Sequence, residues 1–181
     1  MIRAIVGTVA VLAGFGVLES SVDASTGFGG SCKATQAYAQ LQGSEQLLVR
    51  ASPSPEGTVV GALARRNATT EITPSVVTLI GSESGWARIA LGGGDYTAIG
   101  GEQRQLGWIP ADMLAVDSRL GGAVTIYDRP GLLGHEVGKI EGKDTQFRVL
   151  GCRGEWLQVI NAQQGNVWID RWCAKPDGCR G

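Results

Sequence analysis

The sequence predicts an all-β protein built from two tandem copies of one small module. Three observations lead there. Glycine supplies 28 of 181 residues and charged residues only 18%, about twice and clearly under their usual shares in globular chains. Apolar segments are short, rich in β-branched side chains or alternating with polar ones, and bounded by glycines, which is the pattern of half-buried strands. The chain also repeats itself. Pro53, Gly57, Val60, Gly61 and Leu63 recur as Pro130, Gly134, Val137, Gly138 and Ile140, at an offset of 77. Val77, Leu79, Gly81, Trp86 and Ile89 recur as Phe147, Val149, Gly151, Trp156 and Val159, at 70, and Trp108-Ile109 recurs as Trp168-Ile169, at 60. Three colinear runs mark two homologous modules whose loops differ in length.

Residues 1–24 stand outside this pattern. Arg3 opens the chain, Ile5–Leu18 is apolar, and Val22-Asp23-Ala24 is a small-x-small cleavage pattern. That is the layout of a secretory signal peptide. The apolar run of 14 residues falls short of the roughly 20 a membrane helix needs. Residues 25–45 form an N-terminal segment in which Ala34–Leu41 alone has helical spacing. Module one follows over 46–116 and module two over 123–181, C-terminal tail included, with Asp117–Gly122 as the joint.

Within the modules the strands come in order. Leu47–Arg50 and Val124–Tyr127 open them, Val76–Ile80 and Gln146–Leu150 are β-branched runs, and Trp86–Ala90 and Trp156–Ile160 alternate. Gly81–Gly85 and Gly151–Glu155 read as the turns between. Module one carries longer loops, including the excursion Gly92-Gly93-Gly94-Asp95-Tyr96 to Gly100-Gly101-Glu102. No Gly-Lys-Ser/Thr or helix pattern follows those glycines, so they are a hairpin excursion, not a phosphate cradle.

Charge and cysteine content narrow the chemistry. A formal net charge of −1 disfavours a nucleic-acid reader. One His excludes a His-rich metal site, and no Cys-x-x-Cys pair exists, so neither metal nor cofactor is expected. Cys32, Cys152, Cys173 and Cys179 all follow the signal segment. In an exported chain an even count predicts two disulfides, with three possible pairings. His135 lies in a loop, and Thr58 takes its place in module one, so the module does not depend on the imidazole. Asn67-Ala68-Thr69 matches a glycosylation pattern.

The residues Leu48-Val49-Arg50-Ala51-Ser52-Pro53, Gly57, Val60-Gly61-Ala62-Leu63, Gly85-Trp86-Ala87-Arg88-Ile89 and Gly107-Trp108-Ile109 resemble the bacterial SH3-like (SH3b) family. Module two keeps Tyr127-Asp128-Arg129-Pro130, Gly154-Glu155-Trp156 and Val167-Trp168-Ile169. The resemblance implies two tandem small, strongly bent five-stranded β barrels. Gly107-Trp108-Ile109-Pro110 also resembles the segment of eukaryotic SH3 domains that binds proline-rich peptides. An aromatic residue usual there is Met113 here, and module two has Asp170 and Cys173 in place of Pro110 and Met113. The family fold also implies Cys152–Cys173 as one bridge and Cys32–Cys179 as the other, with Cys173–Cys179 as the main rival pairing.

Trp86, Trp108, Trp156 and Trp168 recur at equivalent positions, either as barrel packing or as a stacking platform for a peptide or glycan. Module one keeps the fuller set, so ligand binding is expected at Arg50, Trp86, Trp108 and Pro110, with Tyr96 on the excursion. The functional expectation is an exported, non-catalytic binding protein, periplasmic or extracellular, recognising a cell-wall peptide or envelope protein. The alternative is a structural or adaptor protein regulating a separate envelope enzyme. A Cys152–His135 hydrolase site lacks a supporting motif. No membrane span is expected after signal cleavage.

Overall fold

The computed structural model describes residues 30–41, 45–64, 66–67, 72–73, 75–92, 95–101, 104–118, 123–140, 146–161 and 165–174. The expected signal segment 1–24, the glycines of the joint, Gly93-Gly94, Glu102, part of Asn67-Ala68-Thr69 and Cys179 lie outside them.

The described chain is all-β. Its strands are β1 (Gly30–Ala39), β2 (Gln46–Arg50), β3 (Val59–Ala64), β4 (Arg66–Asn67), β5 (Ile72–Thr73), β6 (Val76–Glu83), β7 (Trp86–Ala90), β8 (Tyr96–Ala98), β9 (Leu106–Pro110), β10 (Leu114–Asp117), β11 (Val124–Tyr127), β12 (Glu136–Ile140), β13 (Gln146–Arg153), β14 (Trp156–Asn161) and β15 (Gly165–Ile169). A 3-10 turn, Ala111–Met113, separates β9 from β10. Thirteen strands join in one antiparallel sheet, ordered β12-β11-β15-β14-β13-β10-β1-β6-β7-β9-β2-β3-β8, and β4 pairs with β5. Among the described residues no helix is long and apolar enough to cross a membrane.

The repeat is visible in this order. β6-β7-β9-β2-β3 in the first half matches β13-β14-β15-β11-β12 in the second. Details follow the same offsets. Gly81 and Gly151 are not turn residues: β6 and β13 run on to Glu83 and Arg153. Both strands carry a register shift just before the glycine, between Leu79 and Gly81 and between Val149 and Gly151. A bulge lets a strand bend without ending, so the reversals come later, at Ser84-Gly85 and Gly154-Glu155. There the backbone turns left-handed, with φ of 48° at Ser84, 80° at Gly85 and 57° at Gly154. The loop after the first strand of each half is also the same. Ala51 N–H donates to Thr58 C=O (2.9 Å) and Gly57 N–H to Ser54 C=O (3.0 Å). Asp128 N–H donates to His135 C=O (3.1 Å) and Gly134 N–H to Gly131 C=O (3.0 Å).

The halves meet through β1 and β10. Helical spacing in Ala34–Leu41 does not prevail: these residues, up to Ala39, lie in β1 between β6 and β10. Ala37, Tyr38 and Ala39 are buried in succession, because strands flank both edges and packing overrides local propensity. β10 pairs on its other edge with β13, Val116 opposite Phe147. The joint therefore begins later than the sequence suggests, since Asp117 and Ser118 are buried. The core runs across the seam, with Val49, Leu79, Ile89, Ile109, Leu114 and Val116 continuous with Ile126, Phe147, Val149 and Leu157.

Two pairs of equivalent positions touch at this seam. Tyr38 hydroxyl donates to buried Asp117 Oδ1 at 3.0 Å and accepts from Gln146 Nε2 at 2.7 Å. Burial, more than the neighbouring carboxylate, lifts the Tyr38 phenol well above its ordinary range. Ser82 Oγ accepts from Cys152 N–H at 2.9 Å. The start of β1 clasps the turn at Gly154. Lys33 N–H donates to Gly154 C=O, Gly154 N–H to Ser31 C=O, and Lys33 Nζ pairs with Glu155.

Here the disulfide expectation is corrected. Cys152 is bonded to Cys32, with Cα atoms 5.6 Å apart, not to Cys173, and Cys32 is therefore not bonded to Cys179. Cys152 stands near the end of β13, where β1 passes, and 5.6 Å lies inside the usual bridging range. Cys173 lies elsewhere, exchanging backbone hydrogen bonds with Asp117 at 2.9 and 3.0 Å. It is disulfide-bonded as well, to a partner outside the described residues.

Candidate functional site

Strand alternation builds one outward face on β2, β9 and β7. Ala87, Ile89, Gly107, Ile109 and Val49 point into the core. Their neighbours point out. In the register, Arg50 lies opposite Trp108, Trp108 opposite Arg88, and Trp86 opposite Pro110. Cross-strand neighbours on one face are close enough to interact. Four of the five residues expected to bind, Arg50, Trp86, Trp108 and Pro110, therefore share a surface.

Trp108 is the centre of this surface. The Arg88 guanidinium carbon lies 5.8 Å from its ring centroid, a cation–π contact. Arg50 is held in place by its own loop, with Nη1 donating to Gly57 C=O at 2.7 Å. Gly57 permits this fold because a Cβ there would collide with Ser52. The two tryptophans and Pro110 are half-buried and Arg88 is exposed. Arg88 is the residue that sequence reading did not single out. Its signal was its phase, two residues after Trp86 in an alternating strand.

Tyr96 does not join them. It opens β8, which pairs with β3, and its ring lies against Gly61 while its hydroxyl donates to Val60 C=O at 2.9 Å. Together with Leu63, Val76, Ala90 and Leu91 it lines a cleft of about 300 Å³. The excursion is thus partly a sheet strand. Met113 packs against the core.

The second half uses the equivalent positions differently. Tyr127 stands for Arg50 and meets Trp156 edge-on, with centroids 4.9 Å apart and planes at 86°. Trp168, the counterpart of Trp108, is only 6% exposed. Gln158, the counterpart of Arg88, is buried as well. Trp172 packs against the core, its Nε1 donating to Gln36 C=O at 3.4 Å. Arg153 lies opposite Trp156 in the register, but among the described residues the cation–π contact is that of Arg88 with Trp108.

Other candidates are placed as follows. His135 is exposed, and its backbone N–H donates to Asp128 Oδ1 at 2.8 Å. That bond first, then Arg129, holds the Asp128 carboxyl below its ordinary range. Cys152 is tied up in its disulfide, so its sulfur is not a thiolate nucleophile. Among the described residues no three His, Cys, Asp or Glu side chains gather as a metal site would require.

No family model matches the chain, and no curated protein matches it. The solved structure titled "Structure of NlpC2 from Trichomonas vaginalis" is similar at 15% identity over 82% of this chain and 51% of its own, with a TM-score of 0.31. The chain thus spans about half the length of that protein.

Proposed function

We propose that this chain is an exported, non-catalytic binding protein of two SH3-like barrels, released by cleavage of a signal peptide at residues 1–24. Its first half recognises a cell-wall peptide or an envelope protein. The observation that carries this reading is the outward face of Arg50, Trp108 and Arg88, beside Trp86 and Pro110. A half-buried indole with the Arg88 guanidinium over its ring and Arg50 opposite it in the register offers a stacking surface and a preference for carboxylate on the ligand. The corresponding rings of the second half are engaged with one another or buried, which supports a bracing role there. The repeated five-strand order supports the two-module reading, and the Cys32–Cys152 disulfide supports export.

The test is capture from envelope extract on immobilised protein, with wall fragments and proteins analysed separately. Material retained by the native chain and released in Trp108→Ala supports the reading. Equal retention by both would sink it.

A further inference from the structure

The two halves differ in what covers one edge. β3 and β12 are equivalent strands, with Val60-Gly61-Ala62-Leu63 matching Val137-Gly138-Lys139-Ile140. β3 is paired on both sides, by β2 and by β8, and Val60, Ala62 and Leu63 are buried. β12 is paired only by β11 among the described residues and ends the sheet. Val137 is exposed there.

β8 shows what such an edge accepts. Tyr96 lies opposite Leu63, Thr97 opposite Ala62 and Ala98 opposite Gly61. The Tyr96 ring settles over Gly61, where any Cβ would collide with it, and its hydroxyl and the Ile99 N–H both donate to Val60 C=O. Gly138 keeps the glycine without the ring. A Cβ there would meet only the Ile126 side chain, at ordinary contact distances of 3.6 and 3.8 Å. The loop leading into β12 carries Leu132, fully exposed, and Leu133, 78% exposed, where the first half has Pro55 and Glu56. Neighbouring apolar side chains left in water mark contact surfaces.

We propose that the outer edge of β12 is a second binding site, which takes an extended segment of another protein as an added antiparallel strand. The segment carries a tyrosine whose ring fills the space over Gly138, then a polar residue, then a small one. Lys139 replaces Ala62, so an acidic residue at the Thr97 position is favoured. The exposed Lys139–Glu136 pair at 3.7 Å lies along β12 and leaves Gly138 open. A charge on a bare edge also discourages indiscriminate pairing.

The probe is a blocked peptide with the sequence of Asp95–Ile99 carrying Thr97→Glu, titrated into the full chain and read by amide chemical shifts and hydrogen exchange. Saturable shifts confined to β12 and its preceding loop, with slowed exchange of the Lys139 amide, are expected. A peptide also carrying Tyr96→Ala should bind about tenfold or more weakly, the range in which a central aromatic anchor acts. Gly138→Ala in the protein should weaken binding similarly at unchanged melting temperature, since its Cβ has room in the free chain. Absence of shifts at β12, equal binding of the two peptides, or unchanged binding by Gly138→Ala would each overturn the proposal. Pairing of two copies of this chain through β12 without peptide would also overturn it.

Discussion

At the scale of single residues, the repeat turns identical side chains to different ends. Trp168 is buried and half-buried Trp156 meets Tyr127 edge-on, so Trp168→Ala should cost about 3–5 kcal/mol, as large aromatic truncations in a core do. Trp86 and Trp108 face outward, and Trp86→Ala should weaken ligand binding by about 2 kcal/mol or more if it anchors the ligand. Melting temperature and affinity measured on Trp86→Ala and Trp156→Ala separate the two roles. Loss of binding in Trp156→Ala at unchanged melting temperature, with Trp86→Ala binding normally, would reverse the assignment of halves. Asp128 gives a pH signature. Its carboxyl is held below the ordinary range by His135 N–H and Arg129. A folded value below the unfolded one adds stability above the unfolded value, lost as pH falls through the lowered one. The stability difference between native chain and Asp128→Asn should therefore shrink on acidification below the usual aspartate range. A difference that stays constant from pH 6 to pH 2 would contradict this.

At the scale of elements, local pattern sufficed where structure is local. Trp86–Ala90 and Val124–Tyr127 are strands with the bounds their alternation implies. The outward placement of Arg50, Trp86, Trp108 and Pro110 follows from the same alternation and from the repeat. Four things were not legible. Gly81 and Gly151 mimic turns because glycine serves bulges and turns alike. β1 looks helical because its burial is imposed by two strands far off in sequence. Cys32–Cys152 joins residues 120 apart, a proximity that no spacing encodes. Tyr96 fell outside the site for a similar reason: its partner strand precedes it by some 35 residues. The long closed loop also makes the bridge a strong constraint on the unfolded chain. Chain-entropy arguments give about 4–5 kcal/mol for loops of roughly this length, with measured losses spread over about 2–5. Denaturant midpoints of the Cys32→Ala/Cys152→Ala double variant should show a loss in that range. An unchanged midpoint would mean that β1 is held by its backbone pairing alone.

At the scale of the molecule, the halves share strands instead of merely touching. β10 follows the first five-strand set in the chain but pairs with β13 of the second, and β1 pairs with both β10 and β6. Neither half can melt without stripping a hydrogen-bonding partner from the other. Calorimetry should therefore give one cooperative transition whose calorimetric and van't Hoff enthalpies agree. Two resolved transitions would show that the seam between β1 and β10 is weak.

The strand order around that seam has a consequence for growth. Apart from β8, it reads the same from either end: each half is led by a strand that caps it, and the two leading strands pair with each other. This is the symmetry of an isologous dimer fused into one polypeptide, and isologous contacts close upon themselves. A third unit has no vacant leading strand to meet, so this architecture stops at two. Solenoid repeats lengthen by adding units through the same contact; the β1–β10 contact joins two units and no more.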